Sequence, residues 1–206
     1  VEVNGTAWWI GGGDATSATS EVWIVSLDGA GQLALERGPS LPARSQFLAA
    51  AKVATKLVVL GAQRSADAGD VVRATWVLDL EESPWRWREA APFPGAADLK
   101  IVAAAQSTSF GEPAFFAYSG EIVAATASPS PGGARVLPVS NELWRYLPGD
   151  DRWDRLGSPP GATGRSAGLA WPIGQAQILY FAGVDEVPLD VPQAERAEVP
   201  ASVSLY

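Results

Sequence analysis

The sequence contains no cysteine and no histidine. A disulfide framework is therefore excluded, as are zinc sites built on thiolate and imidazole. Nucleophilic catalysis of the Ser-His-Asp or Cys-His kind falls with them. Positive charge is also scarce, because 15 basic residues face 23 acidic ones and the net charge is −8. Such a balance repels a phosphate backbone, and no basic patch offsets it, so nucleic acid is not an expected partner. There is no run of about eighteen apolar residues, so no membrane span is expected. Val1 opens without the basic, apolar and small-residue order of a leader, and no secretion signal is read from this sequence. Sustained 3.6-residue periodicity with caps is missing too, which leaves helices a minor part.

What is present is a repeat, and 206 residues with 47% hydrophobic content suffice for a single large all-β domain. An apolar strand ending at glycine recurs as Ala7-Trp8-Trp9-Ile10-Gly11, Leu57-Val58-Val59-Leu60-Gly61, Phe115-Phe116-Ala117-Tyr118-Ser119-Gly120 and Ile178-Leu179-Tyr180-Phe181-Ala182-Gly183. After an insert comes a second strand, as Glu21-Val22-Trp23-Ile24-Val25, Ala74-Thr75-Trp76-Val77-Leu78, Glu142-Leu143-Trp144-Arg145-Tyr146 and Ser202-Val203-Ser204-Leu205-Tyr206. A third strand opens near Trp87 and Trp153, with Leu33-Ala34-Leu35 in its place in the first unit. Proline turns at Leu41-Pro42, Pro92-Phe93-Pro94 and Pro159-Pro160 then lead to a small-residue strand such as Phe47-Leu48-Ala49-Ala50-Ala51.

Four short strands per unit, separated by turn residues, are the sequence form of a propeller blade. With strands A to D counted from the axis outward, blades are expected over about 1–42, 44–94, 98–160 and 164–206. The last lacks an outer strand, which leaves an edge and suggests part of a roughly six- or seven-bladed ring. The blades differ mainly in their B–C inserts, 12–20, 62–73, 121–141 and 184–201. Antiparallel order places these inserts and the D–A proline turns on one face, the expected binding face. The composition of 125–135 and 187–200 predicts mobile inserts.

The order of apolar strand with glycine, Trp strand, Trp and Leu-Pro-x-Arg resembles the kelch repeat, in which the apolar strand ends in two glycines. Only Gly11-Gly12 keeps that pair; Gly61-Ala62, Ser119-Gly120 and Ala182-Gly183 depart from it. Among kelch proteins, the sequence resembles the sialic-acid mutarotases (N-acetylneuraminate epimerases) and their cyclically permuted relatives. The likeness lies in Thr75-Trp76-Val77-Leu78-Asp79-Leu80 through Trp87, the turn at 91–95, Asn141-Glu142-Leu143-Trp144-Arg145-Tyr146, and Gly164-Arg165-Ser166-Ala167-Gly168 leading to Leu179-Tyr180-Phe181-Ala182-Gly183. It covers about four fifths of the chain.

The resemblance implies a sugar-ring isomerase that exchanges anomers without a cofactor, and a periplasmic or other extracytoplasmic site. That reaction needs a proton acceptor and donor at the ring, with a cation to hold the sugar carboxylate. In the family a Glu and an Arg of one B–C insert take these parts. The Arg corresponds to Arg73, the expected catalytic residue. The Glu corresponds to Ala62, which cannot move a proton, and neither can Gln63 beside it. Asp67, Asp70, Glu121 or Glu186 would have to substitute.

Arg44 and Arg165 follow proline turns; they are expected either to tie blades together or, with Glu121 and Glu186, to bind ligand. Trp23, Trp76 and Trp144 recur at one strand position, Trp87 and Trp153 at another, as packing between blades requires. Trp8 and Trp9 are adjacent in a strand and must face opposite sides. No metal site is expected: the acidic residues Asp185, Glu186, Asp190, Glu195 and Glu198 match no Ca²⁺ loop. Copper chemistry of the galactose-oxidase kind draws on His and Cys. Gly11-Gly12-Gly13-Asp14 lacks the Lys and helix of a phosphate cradle. Two functions follow: a carbohydrate enzyme or binder for an acidic sugar, or a noncatalytic kelch scaffold that binds a protein partner on the B–C face.

Overall fold

The computed structural model describes residues 1–14, 16–61, 71, 73–123, 128–129, 135–159, 164, 166–183, 187–188 and 203–205. These form an all-β structure in two compact units, 1–93 and 94–206. Each unit carries two blades, and the chain is a partial kelch-type propeller.

In the first unit, blade 1 is the antiparallel meander β1 (Glu2–Val3), β2 (Thr6–Ile10), β3 (Val22–Leu27) and β4 (Leu33–Arg37). Blade 2 is β5 (Ala49–Val53), β6 (Lys56–Leu60), β7 (Thr75–Asp79) and β8 (Trp87–Ala90). In the second unit, blade 3 comprises β9 (Val102–Ser107), β10 (Pro113–Tyr118), β13 (Leu143–Leu147) and β14 (Arg152–Gly157). Blade 4 comprises β15 (Leu169–Ile173), β16 (Gln177–Phe181) and β18 (Val203–Leu205), a three-stranded sheet without an outer strand among the described residues.

Most of 125–135 and 187–200, the inserts expected to be mobile, lies outside the described residues; the parts of the blade 3 and blade 4 inserts that are described form strands. They contribute β11 (Ser128–Pro129), β12 (Arg135–Leu137) and β17 (Val187–Pro188), which pair antiparallel in the order β11-β12-β17. Backbone groups in a long loop need hydrogen-bond partners, and here two inserts supply them to each other. Their polar composition hid this pairing.

Every blade presents two faces, set by strand alternation. One carries the strand-C position that is Trp in blades 1 to 3, as Trp9 beside Trp23 in blade 1 and Val59 beside Trp76 in blade 2, and that is Ser204 opposite Tyr180 in blade 4. We call this the Trp face and the other the reverse face. The core of the first unit joins the reverse face of blade 1, through Trp8, Val22 and Ile24, to the Trp face of blade 2, through Leu57, Val59, Trp76 and Leu78. The Trp87 indole N–H also donates to the Pro39 carbonyl at 2.7 Å, tying blade 2 to the D–A connection of blade 1. The second unit repeats the scheme: Val102, Ala104 and Tyr118 of blade 3 pack on Ile178 and Tyr180 of blade 4. Tyr118 and Tyr180 meet with ring centroids 4.8 Å apart.

The degenerate glycine pairs have a conformational explanation. In blades 1, 3 and 4 the first position is left-handed but accessible to other residues, with φ of 58° at Gly11, 61° at Ser119 and 59° at Ala182; Gly61 of blade 2 is not left-handed. The second lies at 104° in Gly12, 118° in Gly120 and 84° in Gly183, a region that side chains rarely enter. Glycine is retained where φ demands it. A Cβ on Gly120 would also lie 2.8 Å from the Leu99 carbonyl oxygen.

Candidate functional site

Strand direction places the end of strand B and the starts of strands A and C at one end of each blade, where the B–C and D–A connections meet. In blade 2 this end carries Arg44, before β5, and Arg73, before β7. Both are exposed. The Arg73 carbonyl accepts a hydrogen bond from the Phe93 amide at 2.9 Å, which anchors its backbone to the proline turn. Arg44 makes no hydrogen bond or ion pair among the described residues, so it does not tie blades in the expected manner. Its neighbours Ser45 and Gln46 turn inward and are buried instead.

The corresponding end of blades 3 and 4 is built around Glu121, which follows Gly120. Its side chain is only 3% exposed. Oε1 accepts from Lys100 Nζ at 2.8 Å and from Ser166 Oγ at 2.5 Å. Ser166 belongs to the turn before β15, so Glu121 of blade 3 is tied directly to blade 4. The Glu121 backbone bridges Leu99 on one side and Val139 on the other. Beside it, Asp98 is buried and accepts the Val123 amide at 2.8 Å.

Local sequence explains these positions. Two residues before β5, β9 and β15 the backbone turns left-handed, with φ of 57° at Phe47, 51° at Lys100 and 55° at Ala167. This turn swings the preceding residue inward: Gln46 and Ser166 are both buried. Lys100 stands on the turn itself with its side chain about a quarter exposed, as 28% of its surface remains open. A buried carboxylate needs hydrogen-bond partners, and an ammonium and a hydroxyl supply them to Glu121. Glu121 is thereby better suited to fixing the two blades than to exchanging protons with a sugar.

A second polar unit, not expected from the sequence, recurs beside the Trp positions. Glu21 accepts the Trp23 indole N–H at 3.2 Å and pairs with Arg37 at 2.9 Å. Glu142 does the same with Trp144 at 3.1 Å and Arg155 at 3.1 Å, and also accepts the Ala96 amide at 3.1 Å. Burial alone would raise the Glu142 carboxyl, but the Ala96 amide, the Trp144 indole and Arg155 together hold it below the usual carboxylate range. The signal was legible as Glu-x-Trp in two units. Blade 2 reads Ala74-Thr75-Trp76 and lacks the carboxylate.

The glycine-rich segment 11–14 is occupied by its own carboxylate. Asp14 Oδ1 accepts from the Thr16 hydroxyl at 2.7 Å and from the Thr16 and Ser17 amides at 2.8 Å each, closing an Asx turn. These bonds lower its carboxyl to about 2.

Ala62, Gln63, Asp67, Asp70, Arg165 and Glu186 lie outside the described residues. Asp79 is hydrogen-bonded to Lys56 across the β6–β7 pair. Among the described residues, no group of three side chains is arranged to hold a metal ion.

No protein-family model matches the chain, and no curated protein matches it in sequence. Its fold is similar to that in a solved structure titled "Structure of YjhT", with a TM-score of 0.59 at 15% identity. The match covers 92% of this chain and 52% of the other, so the chain spans about half the length of the structure it matches. At this identity the likeness shows the fold alone.

Proposed function

We propose that the chain is part of a kelch propeller that binds an acidic sugar at the B–C and D–A end of its blades, and that it binds without exchanging anomers. The observation that carries the reading is the arrangement of charge there. Arg44 and Arg73 stand exposed at one end of blade 2, and guanidinium groups suit fork-like recognition of a carboxylate. The buried carboxylate at the matching end of blade 3, Glu121, is engaged by Lys100 and Ser166. Cationic side chains reach the surface in blade 2, while the Glu121 carboxylate of blade 3 is engaged within the protein. Ala62, at the position where the mutarotase resemblance calls for Glu, supports the same conclusion.

The test pairs calorimetric titration of N-acetylneuraminate with one-dimensional NMR of its anomers in freshly dissolved sugar. Binding with an unchanged exchange rate is expected, and Arg73→Ala should weaken binding about tenfold or more, the loss typical of a charge-assisted hydrogen bond. Absence of binding would remove the sugar reading in favour of a protein-binding scaffold. Accelerated exchange that disappears in Glu121→Gln would show that the carboxylate is catalytic after all.

A further inference from the structure

The two blade faces that pack inside each unit also occur once each in open form. In blade 1 the Trp face is bare: Trp9 is 68% exposed, Leu27 69%, Leu33 75% and Leu35 68%. Strand pairing puts these residues on one surface, since Trp9 opposes Trp23, Leu27 opposes Leu33, and Val25 opposes Leu35. The equivalent surface of blade 2 is the opposite in exposure, with Leu57 and Val59 at 0% and Trp76 at 2%, because the reverse face of blade 1 covers it. In blade 4 the open surface is the reverse face. Leu169, Trp171 and Ile173 alternate along β15 and are 57%, 66% and 38% exposed.

Exposed apolar surface of this extent marks an interface. Its kind is fixed by the contacts already present, because a Trp face is covered by a reverse face both in blades 1 and 2 and in blades 3 and 4. The chain therefore carries an open example of each complementary half. We propose that a second copy of this chain is the occupant, the reverse face of blade 4 in one copy seating on the Trp face of blade 1 in the next. The contact is heterologous, head to tail, and continues the interface used twice within the chain.

The experiment measures molar mass by light scattering on the whole 206-residue chain and on two variants, Leu35→Glu and Trp171→Glu. Both side chains face solvent in the single chain, so circular dichroism and melting should match the unsubstituted protein when dilute. The unsubstituted chain should associate, and each variant alone should be monomeric, because each lacks one half of every contact. Mixed in equal amounts, the two variants should form a one-to-one dimer through the intact blade 4 of the first and the intact blade 1 of the second. A monomeric unsubstituted chain would overturn self-association and leave other blades as the occupants. So would variants that still associate alone, or a mixture that stays monomeric.

Discussion

At the scale of residues, backbone angle separates the two kelch glycine positions in blades 3 and 4. Ser119 and Ala182 replace the first glycine at φ near 60°, whereas Gly120 at 118° has no side-chain-bearing equivalent among the described residues. Gly120→Ala should therefore cost about 1–3 kcal/mol in denaturant unfolding, while Ser119→Gly should change stability much less. Equal costs would show that the pair is not conformationally distinct. Asp14 provides a second prediction, from a carboxyl lowered to about 2 by its own turn. Because the folded value is below the ordinary one, its stabilising contribution is complete above about pH 4 and is lost as pH falls through about 2. Carbon-detected NMR should place its midpoint near 2; a midpoint near 4 would mean that the turn does not hold the charge. Glu121 was legible only as a candidate ligand, because nothing local in Gly120-Glu121 announces that Lys100 and Ser166 will enclose it. Removing it in Glu121→Ala should lower stability by about 1–3 kcal/mol, the cost of stranding a partly exposed Lys100 and a buried hydroxyl.

At the scale of elements, burial separates strands that the repeat makes look alike. Leu57-Val58-Val59-Leu60 and Trp76-Val77-Leu78 read as continuous apolar runs, and their residues are at most 2% exposed, as strands covered on both faces should be. In β2 the adjacent Trp8 and Trp9 alternate as expected, 4% and 68% exposed. Leu57→Ala should cost about 2–5 kcal/mol in thermal or denaturant unfolding. A cost below 1 kcal/mol would contradict the packing of blade 1 on blade 2. The recurring Trp positions were readable as packing sites because recurrence selects for a shared environment. Their Glu and Arg companions were harder to read: Arg37 and Arg155 reach Glu21 and Glu142 only once the C–D register is known. The pairing of β12 with β17 was not legible for the same reason, since it joins inserts more than forty residues apart through backbone groups that carry no side-chain signature.

For the whole molecule, the period of the repeat gave the blade architecture without help from any single motif, because each apolar strand, Trp strand and proline turn had to recur in order. Function was less visible, for the residues that would discriminate it lie in connections rather than strands. Arg44 and Arg73 supply cations on one end of blade 2 in a chain whose net charge is −8, so a local positive surface there would stand against the overall field. The most direct measurement is a titration of N-acetylneuraminate followed through the backbone amide signals of isotope-labelled protein. The account predicts saturable shifts centred on Arg44, Arg73 and their neighbours at the B–C and D–A end, reduced at raised salt and in Arg73→Ala. Shifts confined to the opposite turns, or none at millimolar sugar, would contradict it.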